Sequence, residues 1–156
     1  MYEIISKSEN ETIEFARKLA EQLKDKAVIV LNGELGAGKT KFVQGFLKYY
    51  NLEEEISSPT FTIVNEYNSN KVNIYHFDVY RLEDEEEFYA IGGEEYFEKG
   101  ICIIEWGNII KNALPNEYID INIKKIEEND NYRKIQIIPH GNIMKKIMEG
   151  MKKWKY

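Results

Sequence analysis

Only one cysteine, Cys102, occurs in the 156 residues, so no internal disulfide is available and stability must come from packing. It lies inside the apolar run Ile101-Cys102-Ile103-Ile104, which marks it as a core residue. Arginine is nearly as scarce: Arg17, Arg81 and Arg133 are all there are. Enzymes that move a phosphoryl group to a small acceptor usually clamp it with several guanidinium groups, and this chain has few to offer. No apolar run approaches membrane-spanning length, and Met1-Tyr2-Glu3-Ile4-Ile5 has no basic leader character, so a soluble, cytoplasmic protein without membrane contact is expected. Positive charge is short as well. The net charge is −6, yet the segment from His140 to Tyr156 holds five lysines against Glu149, which leaves about −10 on the rest. An acidic body of this kind argues against extensive direct contact with a nucleic-acid backbone.

Apolar content of 43%, 13% of residues aromatic, and a length of 156 residues together predict a single domain over residues 1–156 with a buried core. Glu3 to Ser6 reads as a short edge strand, and Ser8 with Glu11 forms a capping box for a helix to about Leu23, whose apolar face is Ile13, Ala16, Leu19, Ala20 and Leu23. Ala27 to Leu31 is a buried strand, and Phe42, Val43, Phe46 and Leu47 stripe the helix that follows. Phe61 to Tyr67 and Val72 to Val79 predict an antiparallel hairpin across Asn68-Ser69-Asn70. Glu83 to Glu87 begins a helical stretch that Gly92-Gly93 interrupts and Glu94 to Lys99 resumes. Ile101 to Trp106 is a second apolar strand, and Tyr118 to Lys124 and Arg133 to Ile138 predict a hairpin across Glu127 to Tyr132. Ile143, Met144, Ile147, Met148, Met151 and Trp154 stripe a C-terminal helix that is expected to cover the sheet.

Between the first buried strand and its helix lies Gly33-Glu34-Leu35-Gly36-Ala37-Gly38-Lys39-Thr40, which matches the phosphate-cradling loop G-x-x-x-x-G-K-[ST]. Each position has a physical role. The glycines let backbone N–H groups turn inward, Lys39 reaches the β and γ oxygens of a triphosphate, and the Thr40 hydroxyl ligates Mg²⁺. The following helix aims its positive dipole end at the same anion. The expected fold is therefore α/β: a small P-loop NTPase-like sandwich, its mixed parallel and antiparallel sheet flanked by helices and the loop at the carboxyl edge of the strands.

A metal-nucleotide site needs a further carboxylate at the end of an apolar strand, and two fit. Asp78 ends Asn73-Ile74-Tyr75-His76-Phe77, and Glu105 ends Ile101 to Ile104. Asp78 is expected to hold Mg²⁺, directly or through water, and Glu105 to ligate the metal or orient the attacking water; spacing leaves the division open. Ser58 and Thr60 stand where a γ-phosphate sensor often sits, or serve as local hydroxyl caps of a turn. Arg81 is a phosphate contact or a structural ion pair, Trp106 a wall of the site or a packing residue, and His76 more a core histidine than a partner of the site.

These blocks, Gly33 to Thr40, Ser58-Pro59-Thr60-Phe61-Thr62, Tyr75-His76-Phe77-Asp78-Val79-Tyr80-Arg81-Leu82 and Glu105-Trp106, resemble the bacterial TsaE (YjeE) family, the ATPase subunit of tRNA threonylcarbamoyladenosine biosynthesis. The resemblance runs to about Pro139 and departs at Gly107, where relatives often carry proline. It implies ATP and Mg²⁺ as cofactors, with Leu35, Gly36, Ala37, Gly38, Lys39 and Thr40 as ATP contacts and Glu9 and Arg133 as further nucleotide contacts. It implies Thr40 and Glu105 as Mg²⁺ ligands, and Asp78 as a catalytic or metal-linked carboxylate. It also implies a TsaB–TsaD complex as the partner, which carries out threonylcarbamoyl transfer to adenosine 37 of tRNAs reading ANN codons, so that tRNA is met only indirectly. A regulatory GTPase is disfavoured because Asn70-Lys71-Val72-Asn73 lacks the carboxylate that selects guanine. A small-molecule kinase or a nucleotide-gated binding module are the competing readings.

Overall fold

The structure, a computed structural model, describes residues 1–56, 63–80 and 82–151. Seven strands form one sheet: β1 (Tyr2–Ser6), β2 (Ala27–Asn32), β3 (Val64–Asn68), β4 (Asn73–Asp78), β5 (Ile101–Glu105), β6 (Tyr118–Ile126) and β7 (Asn129–His140), in the spatial order β1-β7-β6-β2-β5-β4-β3. The middle pairs β6–β2, β2–β5 and β5–β4 are parallel, and the outer pairs β1–β7, β7–β6 and β4–β3 are antiparallel. This is the mixed α/β sheet expected from buried runs in the middle and hairpin patterns at the margins. β2 reads Ala-Val-Ile-Val-Leu because a central parallel strand is covered on both faces.

Period-two alternation divides the core. Ala27, Ile29 and Leu31 of β2, with Ile74, Ile101 and Ile103, pack beneath α1 (Glu9–Gln22) and α2 (Lys39–Lys48). Val28, Tyr75, Phe77, Cys102 and Ile104 face the other way, against Phe88 of α3 (Glu85–Ala90), Tyr96 and Phe97 of the 3₁₀ turn Gly93–Glu98, and Ile110. On the first face the rings of Phe15, Phe42, Phe46 and Tyr50 run in a chain at centroid spacings of 6.2, 6.4 and 6.0 Å, tying α1 to α2. Each buried phenylalanine is worth roughly 1.5–3 kcal/mol, so this seam fixes where α2, and hence the phosphate loop, stands on the sheet. Cys102 is fully buried and its thiol is pushed up to about 12 by burial, as a packing residue requires.

Local signals account for the element ends. Ser8 caps α1 by accepting from the Glu11 N–H at 3.1 Å, while the Glu11 carboxylate reaches back to the Lys7 N–H at 2.6 Å, one residue earlier than a standard capping box. The acidic stretch enters α3 through Asp84, which accepts from the Glu87 N–H at 3.1 Å. α4 (Asn142–Met151) lays Met144, Met148 and Met151 into the core beneath the sheet; Trp154, expected on the same stripe, lies outside the described residues.

The β6–β7 hairpin departs from expectation. The loop expected over Glu127 to Tyr132 is a two-residue turn, Glu127-Glu128, followed by strand. The register jumps from Ile126↔Asn129 to Lys125↔Arg133, so residues 130–132 stand out of the ladder as a bulge. Their backbone is satisfied locally: the Asn129 side chain accepts from the Asn131 N–H at 3.0 Å, and Arg133 donates to the carbonyls of Asp130 and Tyr132 at 2.6 and 2.8 Å. Polar composition reads as a loop, but these side chains make a bulge affordable inside a strand.

Candidate functional site

The parallel strands β2, β4 and β5 end at the same edge of the sheet, as βαβ topology dictates, and a cavity of about 480 Å³ opens there. Its floor is the loop and first turn of α2, with Leu35, Gly36, Gly38, Lys39, Thr40 and Lys41. Asp78, Glu105 and Trp106 form one wall, and Ser8, Glu9 and Thr12 of the α1 entry together with Asp130, Asn131 and Arg133 of the bulge form the other. All the singled-out residues of the loop, both carboxylates, Glu9 and Arg133 are thus brought together, except that Ala37 is fully buried behind the loop. Ser58, Thr60 and Arg81 lie outside the described residues.

The loop is shaped to receive an anion. Gly36 and Gly38 have φ of 81° and 114°, left-handed conformations that turn the backbone inward and that a side chain would strain. α1 starts with a serine cap and two glutamates in its first turn, whereas α2 starts at Gly38 with no side-chain cap and no acidic residue. The first-turn N–H groups of α2 therefore point at the cavity unmatched by any side chain of their own helix.

Arg133 braces this loop. Its Nε donates to the Ala37 carbonyl at 2.8 Å and its Nη2 to the Gly36 carbonyl at 3.3 Å, in addition to the two bonds within the bulge. The residue flagged as a nucleotide contact thus also holds the cradle in shape, a role that spacing in sequence could not show because 96 positions separate it from Ala37. The bulge is what aims it. Glu9 sits at the mouth, with Oε2 3.6 Å from Lys41 Nζ.

On the opposite wall, β4 and β5 are in register so that Asp78 lies beside Glu105. The Asp78 carboxylate accepts from the Tyr80 N–H at 3.1 Å. Glu105 has two partners: Oε1 is 3.5 Å from Lys39 Nζ, and Oε2 is 2.6 Å from His76 Nε2. Burial works against ionisation of this carboxyl, but the His76 hydrogen bond and then Lys39 outweigh it, and Glu105 titrates below the ordinary carboxylate value. His76 is a buried, hydrogen-bonded core histidine and a partner of the site at once: its bond goes to Glu105, because alternation on β4 puts His76 and Asp78 on the face toward α2.

Trp106 walls the site. Its ring lies 4.6 Å from Lys39 Nζ and 5.3 Å from the Tyr80 ring. The chain turns there through φ 65°, a left-handed conformation costing roughly 1–2 kcal/mol for a residue with a side chain. Gly107 then lies against Val30, where a Cβ would stand 2.7 Å from Cγ1, so glycine suits this position beneath a β-branched neighbour.

The donors fit a magnesium–nucleotide pair. Among the described residues no three carboxylate, imidazole or thiol groups gather to hold a metal alone. Mg²⁺ is usually held by one or two carboxylates together with phosphate oxygens and water, and Thr40 with Glu105 or Asp78 supplies such a partial set. No helix among the described residues is long and apolar enough to cross a membrane.

Comparison with known proteins follows the same line. The family described as "Threonylcarbamoyl adenosine biosynthesis protein TsaE" matches residues 6–135. The chain is 40% identical over 142 residues to the "tRNA threonylcarbamoyladenosine biosynthesis protein TsaE" of Bacillus subtilis, covering 90% of this chain and 87% of that one. The Haemophilus influenzae protein of the same name is 40% identical over 144 residues, covering 88% of this chain and 89% of that protein. Among solved structures, the crystal structure of Bacillus subtilis YdiB is similar with a TM-score of 0.79 and 34% identity, covering 97% of this chain and 93% of the other.

Proposed function

The chain belongs to the TsaE family, and on that premise we propose that it is a Mg²⁺-dependent ATPase that serves tRNA threonylcarbamoyladenosine biosynthesis by acting on a TsaB–TsaD complex. The observation that carries the reading is the meeting of the Gly33–Thr40 loop with Asp78 and Glu105 at the ends of adjacent parallel strands, Lys39 lying 3.5 Å from Glu105.

In this account the α2 N-terminus and the loop amides bind the β and γ phosphates, and Lys39 exchanges part of its contact with Glu105 for phosphate oxygens. Thr40 and Glu105 would hold Mg²⁺, which would supply charge neutralisation for the phosphates. Asp78, beside Glu105 in register, orients water or joins the metal's outer contacts. Trp106 screens Lys39 from solvent, and Arg133 keeps the loop carbonyls turned away from the anion. The threonylcarbamoyl transfer belongs to the partners, which also make the contact with tRNA; the net charge of −6 agrees with that division. The kinase reading is weakened further because Arg17 is paired with Glu14 at 2.6 Å and Arg133 is engaged by backbone carbonyls, leaving no arginine clamp among the described residues.

The test is ATP hydrolysis by the purified protein with Mg²⁺, alone and with a cognate TsaB–TsaD complex. Strong stimulation by the complex is the expected result. Equal rates in both would detach the protein from that partner and reopen the kinase reading.

A further inference from the structure

Glu105 is held at both ends of its carboxylate, and the two holds differ in kind. Lys39 faces Oε1 at 3.5 Å from the cavity side, while His76 contacts Oε2 at 2.6 Å from within the sheet layer. We propose that His76 is a positioning residue: it anchors Oε2 of Glu105 and so presents Oε1 to the cavity as the oxygen through which this carboxylate works. The inference rests on the nucleotide reading above and names the part of the site that sets the aim of its buried carboxylate.

Four observations carry it. His76 is opposite Ile103 in the β4–β5 register, two residues below Glu105, so its ring reaches diagonally up to the carboxylate from the layer beneath. That layer is apolar, occupied by Ile74, Ile101 and Ile103, and an aliphatic residue would fill it without a polar group to bury. The residue is 4% exposed and does not line the cavity, so its ring is shielded from solvent. Its Nδ1 has no hydrogen-bond partner among the described residues, which leaves the Glu105 bond as the polar interaction of the ring. A carboxylate oxygen accepts, so Nε2 is the donor in this bond.

The consequence is geometric. A free glutamate side chain samples several rotamers, and either oxygen, or both, would meet a cation. With Oε2 bound, the carboxylate is restricted to one orientation and one outward oxygen. Hydrogen-bonded partners behind ligating carboxylates typically matter by about 10- to 100-fold in metal affinity or activity.

The experiment compares wild type with His76→Phe, which keeps a ring and removes the donor, and His76→Gln, whose amide nitrogen stands close to the place of Nε2. ATP affinity is measured in EDTA and across a Mg²⁺ titration, with thermal melting alongside. His76→Phe is expected to bind ATP in EDTA like wild type but to need about 10- to 100-fold more Mg²⁺ for the metal-dependent gain, with His76→Gln recovering most of that loss. A wild-type Mg²⁺ dependence in His76→Phe overturns the proposal. So does an equal loss of EDTA affinity and melting temperature in both variants, which is what a purely structural histidine would give. A second readout needs neither metal nor nucleotide: the wild-type imidazole should show a protected, downfield Nε2–H resonance that disappears in Glu105→Ala, which removes the acceptor. If wild type shows no Mg²⁺-linked ATP binding, the nucleotide reading falls by itself, and this resonance decides the pairing. Its absence overturns the anchor.

Discussion

Two histidine–carboxylate pairs of nearly equal length stand in the same sheet. His76 meets Glu105 at 2.6 Å across β4 and β5, and His140 meets Asp120 at 2.9 Å across β6 and β7. Their surroundings differ. Side-chain exposures are 6% and 14% in the first pair and 37% and 22% in the second. The first stands at the carboxyl ends of parallel strands with Lys39 and the phosphate loop in front of it; the second stands on the antiparallel hairpin with the Tyr118 ring stacked on His140 at 4.1 Å. The same two side-chain chemistries therefore make a poised carboxylate in one place and a surface cross-strand contact in the other. Topology, through the shared carboxyl edge of β2, β4 and β5, decides which is which.

The largest expected effect isolates the charge in front of the inner pair. Lys39→Ala should weaken ATP binding by about 100-fold or more in calorimetry, since it removes a charge-assisted phosphate contact, while His140→Ala should leave ATP affinity unchanged. Unaltered affinity in Lys39→Ala would refute the site itself. Next, Glu105→Ala should keep the fold yet lower Mg²⁺-dependent turnover with partners present by about 100-fold, whereas Asp120→Ala should turn over normally. Wild-type rates in Glu105→Ala would remove this carboxylate from the mechanism and erase the contrast.

Acid titration sharpens the contrast more gently. Because Glu105 titrates below the ordinary carboxylate value when folded, the unfolded chain takes up that proton first. Its stabilising contribution is complete above the unfolded value of about 4.3 and fades as the pH falls through the lower folded value. Glu105→Gln should therefore flatten the acid limb of a melting-temperature profile relative to wild type. An identical acid limb would show that the buried pair adds no proton linkage. The smallest effect belongs to the outer pair: Asp120→Asn should change stability by under about 1 kcal/mol in denaturant titration, as expected of a half-exposed pair. A loss several times larger would mean that the two pairs are not as different as their burial suggests.

The fold was legible where the pattern was strong. Apolar strands β2 and β5, the Ser8 cap, the Phe42–Leu47 stripe and the glycine loop all announce themselves through periodicity or local chemistry. The resemblance to the TsaE family, carried by the loop and by Asp78 and Glu105, agrees with the family match over residues 6–135. What could not be read is long-range. The Arg133 bonds to Gly36 and Ala37 depend on a bulge hidden within polar residues, and the Glu105 partner role of His76 depends on which face of β4 meets α2. Asp130 and Asn131, which read as turn residues, line the cavity for the same reason. The alternation of His76 with Asp78 was the available signal; what it lacked was the neighbouring strand.

The most direct test of the central claim is calorimetric titration of ATP into the wild-type protein, with Mg²⁺ and in EDTA. One saturable site is expected, tighter with Mg²⁺ and weakened about 100-fold or more in Lys39→Ala. Absence of binding, or wild-type affinity in Lys39→Ala, would contradict it.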